Sequence, residues 1–311
     1  MDREKTVDRM AGCFLSIPTL FHDDGALNLA GVKQHVGFLL AGGLCEDNGV
    51  LLTCGAAGDF PCLTPGERIA ITEAVLEETS GKIGVILGAQ TSSAAEAIKL
   101  TQAAERIGAD AVQLSPPYYH EHSEEDICEF MTRIAESADV GVLVYPTPWT
   151  ASDMSLDLID RLIEKNANIV GLKWSAPSNK EYLKGIWRFV DRVCIIDNQI
   201  CFVSSHVAGV RGFNTHTTNY WPQWGVKLMG LLNSGKYDEA HQEVMTVLLP
   251  YYDLCAEVGQ ATGGEGIVDK MCLELIGLNS SSARLPTRDV RDQYRDKVRK
   301  MLERTGVPGL K

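Results

Sequence analysis

The feature that most restricts what this chain can fold into is a regular alternation of two kinds of segment. Short apolar runs of buried-strand length are separated by stretches whose apolar residues recur at helical spacing. The runs fall at Cys13–Leu20, Val50–Cys54, Gly84–Leu87, Ala111–Leu114, Gly141–Tyr145, Ile169–Lys173, Val193–Ile196 and Gly209–Asn214. Between them, Pro65–Thr79 carries Ile69, Ile71, Ala74, Val75 and Leu76 on one side. Ser93–Ile107 opens on the cap candidates Ser92 and Ser93 and closes at Gly108. Eight such βα units in about 230 residues match the size of a (β/α)8 TIM barrel. A doubly wound open sheet is the runner-up, but its glycine-rich G-x-G-x-x-G first turn is absent.

After Pro222 the strand signal stops, and Trp224–Asn233, Tyr237–Val258, Glu265–Leu278 and Arg288–Thr305 read as helices. The expected organisation is a catalytic barrel over residues 1–234 and a C-terminal helical extension over 235–311. A formal charge of −12 argues against non-specific nucleic-acid binding and against anionic membranes. No run approaches the roughly 18 apolar residues of a spanning helix. The opening Met1-Asp2-Arg3-Glu4-Lys5 lacks the apolar core of a signal peptide. The nine cysteines are odd in number and show no C-x-x-C spacing, which fits reduced, buried thiols in a cytoplasmic protein.

Within this frame Gly171-Leu172-Lys173-Trp174-Ser175 stands out, because a lysine closes a buried run. The C-terminal ends of parallel strands are where βα loops converge and chemistry collects. A lysine on an inward strand position is costly to bury charged, and a neutral amine is what attack on a ketone requires. The alternative is a strand-end lysine that reaches solvent or a carboxylate.

Further motifs stand at the ends of the other runs. In order they are Ile17-Pro18-Thr19 with Asp23-Asp24-Gly25-Ala26-Leu27-Asn28, Gly55-Ala56-Ala57-Gly58-Asp59, and Ser115-Pro116-Pro117-Tyr118-Tyr119. Then come Val144-Tyr145-Pro146-Thr147-Pro148, Gly171-Leu172-Lys173, and Gly209-Val210-Arg211-Gly212 followed by Asn219 and Pro222. With this series the chain resembles the dihydrodipicolinate synthase / N-acetylneuraminate lyase family of Schiff-base lyases, over nearly its whole length. The resemblance implies that Lys173 forms an imine with the C2 carbonyl of a 2-oxo acid, usually pyruvate. It implies that Tyr145 shuttles protons there, and that the turn at Gly55, Ala56 and Ala57 holds the carboxylate through backbone N–H groups. It further implies that Tyr119 reaches a neighbouring subunit's site in a homotetramer or homodimer, and that no metal or diffusible cofactor is needed. The imine itself is the electron sink, so the adjacent carbon can lose a proton, a carbon–carbon bond or a hydroxyl.

The sequence also departs from the family pattern. The paired Thr/Ser of the carboxylate turn are Ala56 and Ala57, so backbone donors survive while two hydroxyls are lost. Such a loss costs about 0.5–1.5 kcal/mol per hydrogen bond where nothing is left unpaired. The segment Tyr145-Pro146-Thr147-Pro148-Trp149-Thr150 lacks the arginine with which the true synthases hold a second carboxylate. That argues against dihydrodipicolinate synthase itself. Asp197, Asn198 and His216, with Asn214 at the end of the last run, are expected at the pocket mouth, where they could bind hydroxyls or serve as acid and base. They could equally be loop polar residues. His120-Glu121-His122 is a weak metal signal without a third ligand nearby. The reading that results is a lyase acting on a small 2-oxo acid, either a pyruvate-releasing aldolase or a dehydratase of 2-keto-3-deoxy sugar acids. The rival is a keto-acid-binding protein of the same fold with little turnover.

Overall fold

Eight short strands pair in parallel, each with its successor: β1 (Gly12–Ser16), β2 (Gly49–Thr53), β3 (Gly84–Gly88), β4 (Ala111–Leu114), β5 (Gly141–Val144), β6 (Ile169–Trp174), β7 (Cys194–Asp197) and β8 (Gly212–Asn214). β8 pairs back onto β1 and closes the barrel. This computed structural model describes residues 1–279 and 281–311. The fold is a (β/α)8 TIM barrel with C-terminal helices, and all eight strand-like runs of the sequence become barrel strands. The last is shorter than its apolar run, because Gly209 turns the chain at φ +94° and pairing starts at Gly212.

The helices between strands start where the sequence supplies caps. Thr64 and Glu67 form a reciprocal capping box for Pro65–Thr79, and Ser123 with Asp126 does the same for Glu124–Ala135. Ser93, Ser155 and Ser178 cap the helices Ala94–Ile107, Leu156–Lys165 and Asn179–Phe189.

Alternate strand residues divide into two cores. Phe14, Val50, Leu52, Ile86, Ala111, Leu143, Val170, Cys194 and Ile196 fill the barrel interior. Their neighbours, among them Leu15, Leu51, Leu87, Val112 and Ile195, pack outward against the helices. Met10 closes the interior from the N-terminal end at the close of a short helix, Arg3–Arg9, that sequence periodicity did not announce. Arg3 anchors that helix on the carbonyls of Ala167, Ile169 and Arg192, where β6 and β7 begin.

One irregularity in the barrel sets the direction of Lys173. Between β5 and β6 the register steps from Val142 opposite Ile169 to Leu143 opposite Gly171, leaving Val170 as an extra residue. This β-bulge resets the alternation. Val170 points inward, Leu172 points outward, and Lys173 therefore points inward. Gly171 leaves room beside the bulge for Leu143, whose Cδ1 would lie 2.6 Å from a Cβ there.

The long helix expected over Tyr237–Val258 runs without a gap to Ala261 but is not uniformly α-helical. Tyr237–Glu243 passes through a π-helical turn, Val244–Leu248, into Leu249–Ala261, with Pro250 in the first turn of the latter. Helices Gly266–Leu275 and Arg291–Thr305 follow. The former lies across the C-terminal rim of the barrel, so close to the turn after β2 that a Cβ at Gly266 would meet the Ala57 carbonyl oxygen at 2.1 Å. Lys270 of that helix and Asp59 of the turn form a buried ion pair at 2.8 Å.

Candidate active site

The C-terminal rim of the barrel opens into a cavity of about 680 Å³, bounded by the ends of β5 to β8 and by the C-terminal helices. Lys173 rises from β6 into its floor and is only 5% exposed. Its Nζ lies 4.9 Å from the centre of the Phe14 ring and 4.5 Å from that of Tyr145. Burial pulls the ammonium down to about 8, against an opposing pull from the Glu265 carboxylate at the rim. A usable fraction of neutral amine is therefore present near neutral pH.

Tyr145 follows β5, its N–H donating to Leu114 O at 2.8 Å. Burial raises its phenol well above the usual range, with Glu265 adding to the effect and a hydrogen bond from Asn198 partly offsetting it. That bond runs from Asn198 Nδ2 to the phenol oxygen at 3.4 Å. The same amide nitrogen donates to Ser175 Oγ at 2.9 Å, and Asn198 Oδ1 accepts from Asn214 Nδ2 at 2.9 Å. A chain of side chains from β6, β7 and β8 thus fixes the amide that faces the phenol. Asn214 Oδ1, Ser16 Oγ and both amide atoms of Gln113 are buried with no partner among the described residues. Ser16 and Gln113 lie in phase with the inward Phe14 and Ala111.

His216 stands on the turn after β8 and also lines the cavity. Its Nδ1 is 2.9 Å from Asp269 Oδ2, and its ring stacks on Tyr251 at 5.5 Å. Burial alone would lower the imidazole, but the Asp269 carboxylate outweighs it and the group titrates above its ordinary value. Trp149, Tyr251 and Tyr252 give the cavity an aromatic wall. Lys173 and Glu265 are the charged side chains among the described residues that line it, His216 aside.

Of the residues expected at the site, Lys173, Tyr145, Asn198, Asn214 and His216 come together in this cavity. Asp197 does not. In β7 the inward residues are Cys194 and Ile196, so Asp197 turns outward, where its carboxylate accepts from Ser205 Oγ at 2.6 Å and Gln199 N–H at 2.7 Å. It is a structural carboxylate behind the barrel wall. Gly55, Ala56 and Ala57 occupy the same rim beside the cavity without lining it, and the helix starting at Gly266 abuts Ala57. The N–H groups of Ala56 and Ala57 donate to no described residue, while the Gly55 and Ala56 carbonyls accept bonds that close the turn. Tyr119 is 79% exposed on the loop after β4, edge-on to His120 and outside the cavity of its own chain. Cys54, which precedes the turn, is driven up to about 12 by burial and stays a thiol. Among the described residues no group of three or more His, Cys, Asp or Glu gathers as a metal centre would require.

The model of the dihydrodipicolinate synthetase family matches residues 9–305. The chain belongs to the dihydrodipicolinate synthetase family. As a family member it is a lyase. The 4-hydroxy-tetrahydrodipicolinate synthase of Methanococcus aeolicus is 28% identical over 301 residues, covering 96% of this chain and 100% of that protein. Dihydrodipicolinate synthase from Aquifex aeolicus superposes with a TM-score of 0.83 at 22% identity, covering 97% of this chain and 99% of that one. YagE, a prophage protein of this family from Escherichia coli K12 solved in complex with pyruvate, gives 0.83 at 21% identity, covering 96% and 99%. At such identities the two structures speak for the fold.

For this dihydrodipicolinate synthetase family member, sequence reasoning missed Ser16, Gln113, Glu265, Asp269 and Tyr251. The first two were within reach, since counting alternate residues from Phe14 and Ala111 turns them inward. The last three come from the C-terminal helices, and no local pattern joins them to a barrel strand.

Proposed function

We propose that this chain is a class I aldolase of a 2-oxo acid, in which Lys173 forms an imine with the C2 carbonyl of pyruvate or a pyruvoyl group. The observation that carries this reading is the Lys173 amine, buried on the barrel floor with its Nζ 4.5 Å from the Tyr145 ring centre. Burial supplies the free base that attack on a ketone needs. Tyr145, held by Asn198, moves protons at the carbinolamine and at the methyl carbon. The free N–H groups of Ala56 and Ala57 receive the carboxylate of the 2-oxo acid, with Gly55 keeping the turn close to Ser16: a Cβ at Gly55 would stand 2.5 Å from Ser16 Oγ. Asn198 and Asn214 bind the oxygen atoms of the chain beyond. No diffusible cofactor enters this scheme.

The second partner is an aldehyde without a carboxylate. The cavity offers aromatic faces and a rim carboxylate at Glu265, and the segment Tyr145-Pro146-Thr147-Pro148-Trp149-Thr150 carries no arginine. A second reading, 4-hydroxy-tetrahydrodipicolinate synthase, draws on the name of the Methanococcus relative. It requires a guanidinium for a bidentate hold on a second carboxylate, and no arginine is among the described residues that line this cavity. In an oligomer, the exposed Tyr119 would enter the neighbouring subunit's cavity.

Borohydride reduction in the presence of pyruvate tests the central claim. A pyruvate-derived mass on the peptide holding Lys173 is expected, and its absence refutes imine chemistry. Turnover with a semialdehyde bearing a second carboxylate, in preference to uncharged aldehydes, would favour the synthase. Adduct formation without turnover of any aldehyde would favour a binding protein.

A further inference from the structure

We infer that His216, held by Asp269, is the proton-transfer group for the aldehyde oxygen in the cavity where the imine forms. The inference rests on the imine reading of Lys173 and adds to it a second acid–base station.

Three features of the pair point this way. First, its orientation is fixed. The imidazole stacks on Tyr251 at an interplanar angle of 17° and meets the edge of Tyr252 at 84°. Asp269 takes Nδ1, which leaves Nε2 without a partner among the described residues while the ring lines the cavity. Second, the carboxylate behind it is fully buried and fully engaged. Asp269 Oδ1 accepts from the Tyr251 hydroxyl at 2.7 Å, and Oδ2 faces both His216 and, at 3.5 Å, Asn219 Nδ2. Among the described residues His216 is its one ion-pair partner, since the adjacent Lys270 pairs with Asp59. A buried carboxylate favours a cation beside it, so the arrangement stabilises an imidazolium. Third, the groups divide the work by position. Tyr145 sits against the amine, whereas His216 projects from the turn after β8, beneath the C-terminal helices.

Atoms and electrons balance through the whole sequence. Tyr145 gives its proton to the hydroxyl leaving the carbinolamine as water, and the phenolate so formed removes a methyl proton from the pyruvate iminium and leaves an enamine. The enamine carbon attacks the aldehyde carbon, forming the new carbon–carbon bond. The carbonyl π pair moves to oxygen, which takes the proton from His216 Nε2. Water then hydrolyses the iminium, releasing a 4-hydroxy-2-oxo acid and the Lys173 amine. Tyr145 keeps the proton it gained, and the proton freed by hydrolysis restores the His216 imidazolium. Cleavage runs the same steps in reverse, with neutral His216 as base.

The experiment uses pyruvate, deuterium oxide, and benzaldehyde and glyceraldehyde as uncharged aldehydes. Enamine formation alone exchanges the methyl protons of pyruvate for deuterium, without an aldehyde. His216→Gln is expected to keep both the borohydride adduct and methyl exchange within about threefold, while joining to aldehyde falls ~10²–10⁴-fold. Retained exchange also shows that the variant is folded. Asp269 acts through His216 as a positioning residue. At saturating pyruvate the joining step requires imidazolium, so its rate falls as pH rises through the His216 titration. The groups that set this limb are Asp269 and Glu265, which raise the imidazole, and Lys173, which lowers it, with Tyr251 and Tyr252 packed against the ring. Asp269→Asn is expected to move the limb to lower pH. Failure of wild-type protein to trap pyruvate would sink the imine reading. Normal trapping with His216→Gln joining aldehyde at the wild-type rate would overturn the inference. So would loss of methyl exchange in that variant, an unmoved limb in Asp269→Asn, or a wild-type enzyme that exchanges pyruvate but joins neither aldehyde.

Discussion

Lys173 and Tyr145 come from adjacent strands and meet face-on, the amine lying 4.5 Å from the centre of the phenol ring. The contact has two sides. A cation over an aromatic face is favoured, and the ring also excludes the water that an ammonium would need. Burial wins, because the amine titrates at about 8 rather than near the 10.5 of an ordinary lysine.

The pH course of imine formation follows from that value. Only the free base attacks a ketone, so the rate of adduct formation with pyruvate should climb through about pH 8 and then level. Glu265→Gln removes the carboxylate that holds the amine up, and should shift the inflection to lower pH. Timed borohydride quenching on both sides of that inflection reads both curves.

The same amine is expected to weaken the fold. The folded-state value lies below the unfolded one, so at every pH under about 8 the protein keeps a lysine charged where charge is disfavoured. The penalty is relieved as pH rises from about 8 toward 10.5. Lys173→Met should abolish the adduct and raise the unfolding free energy near neutral pH by up to about 3 kcal/mol. A urea midpoint that stays put or falls would contradict this.

Asn198 is expected to matter for the proton step and little for the adduct. Asn198→Leu removes the amide that faces the phenol oxygen. A hydrogen bond to a developing phenolate contributes about 1.5–3 kcal/mol, or roughly 10–100-fold in rate. Methyl exchange of pyruvate in deuterium oxide should slow by that factor, with borohydride trapping at Lys173 retained.

The helix over the rim is tied down by charge. Lys270→Met leaves Asp59 buried without its cation and should destabilise by about 3–5 kcal/mol. Pairing it with Asp59→Asn should restore most of the loss, since neither charge then remains. Equal instability of single and double variants would show that packing, and not the ion pair, holds the helix Gly266–Leu275 in place.

The barrel was legible in the sequence because each strand is an apolar run short enough to be nothing else, flanked by helices with serine or threonine caps. Lys173 and Tyr145 could be placed at strand ends for the same reason. The direction in which Lys173 points was not legible, since it depends on a register step between β5 and β6 that no residue type announces. Asp197 was misplaced for the opposite cause. The alternation Cys194, Ile195, Ile196, Asp197 sends it outward, and its polar character masked that count. The partners of His216 were out of reach because Tyr251 and Asp269 lie 35 and 53 positions further along the chain, on helices that return over the rim only in three dimensions.

The extra residue at Val170 makes the enzyme's chemistry a matter of parity. Were this strand to run without its bulge and with every residue kept, alternation from the outward Ile169 would turn the amine into the helical shell and present Leu172 in its stead. Such a barrel could keep its strands and its hydrophobic interior while becoming chemically mute. A change of register in this one strand is therefore a route to silent relatives of the fold that leaves every side chain in place.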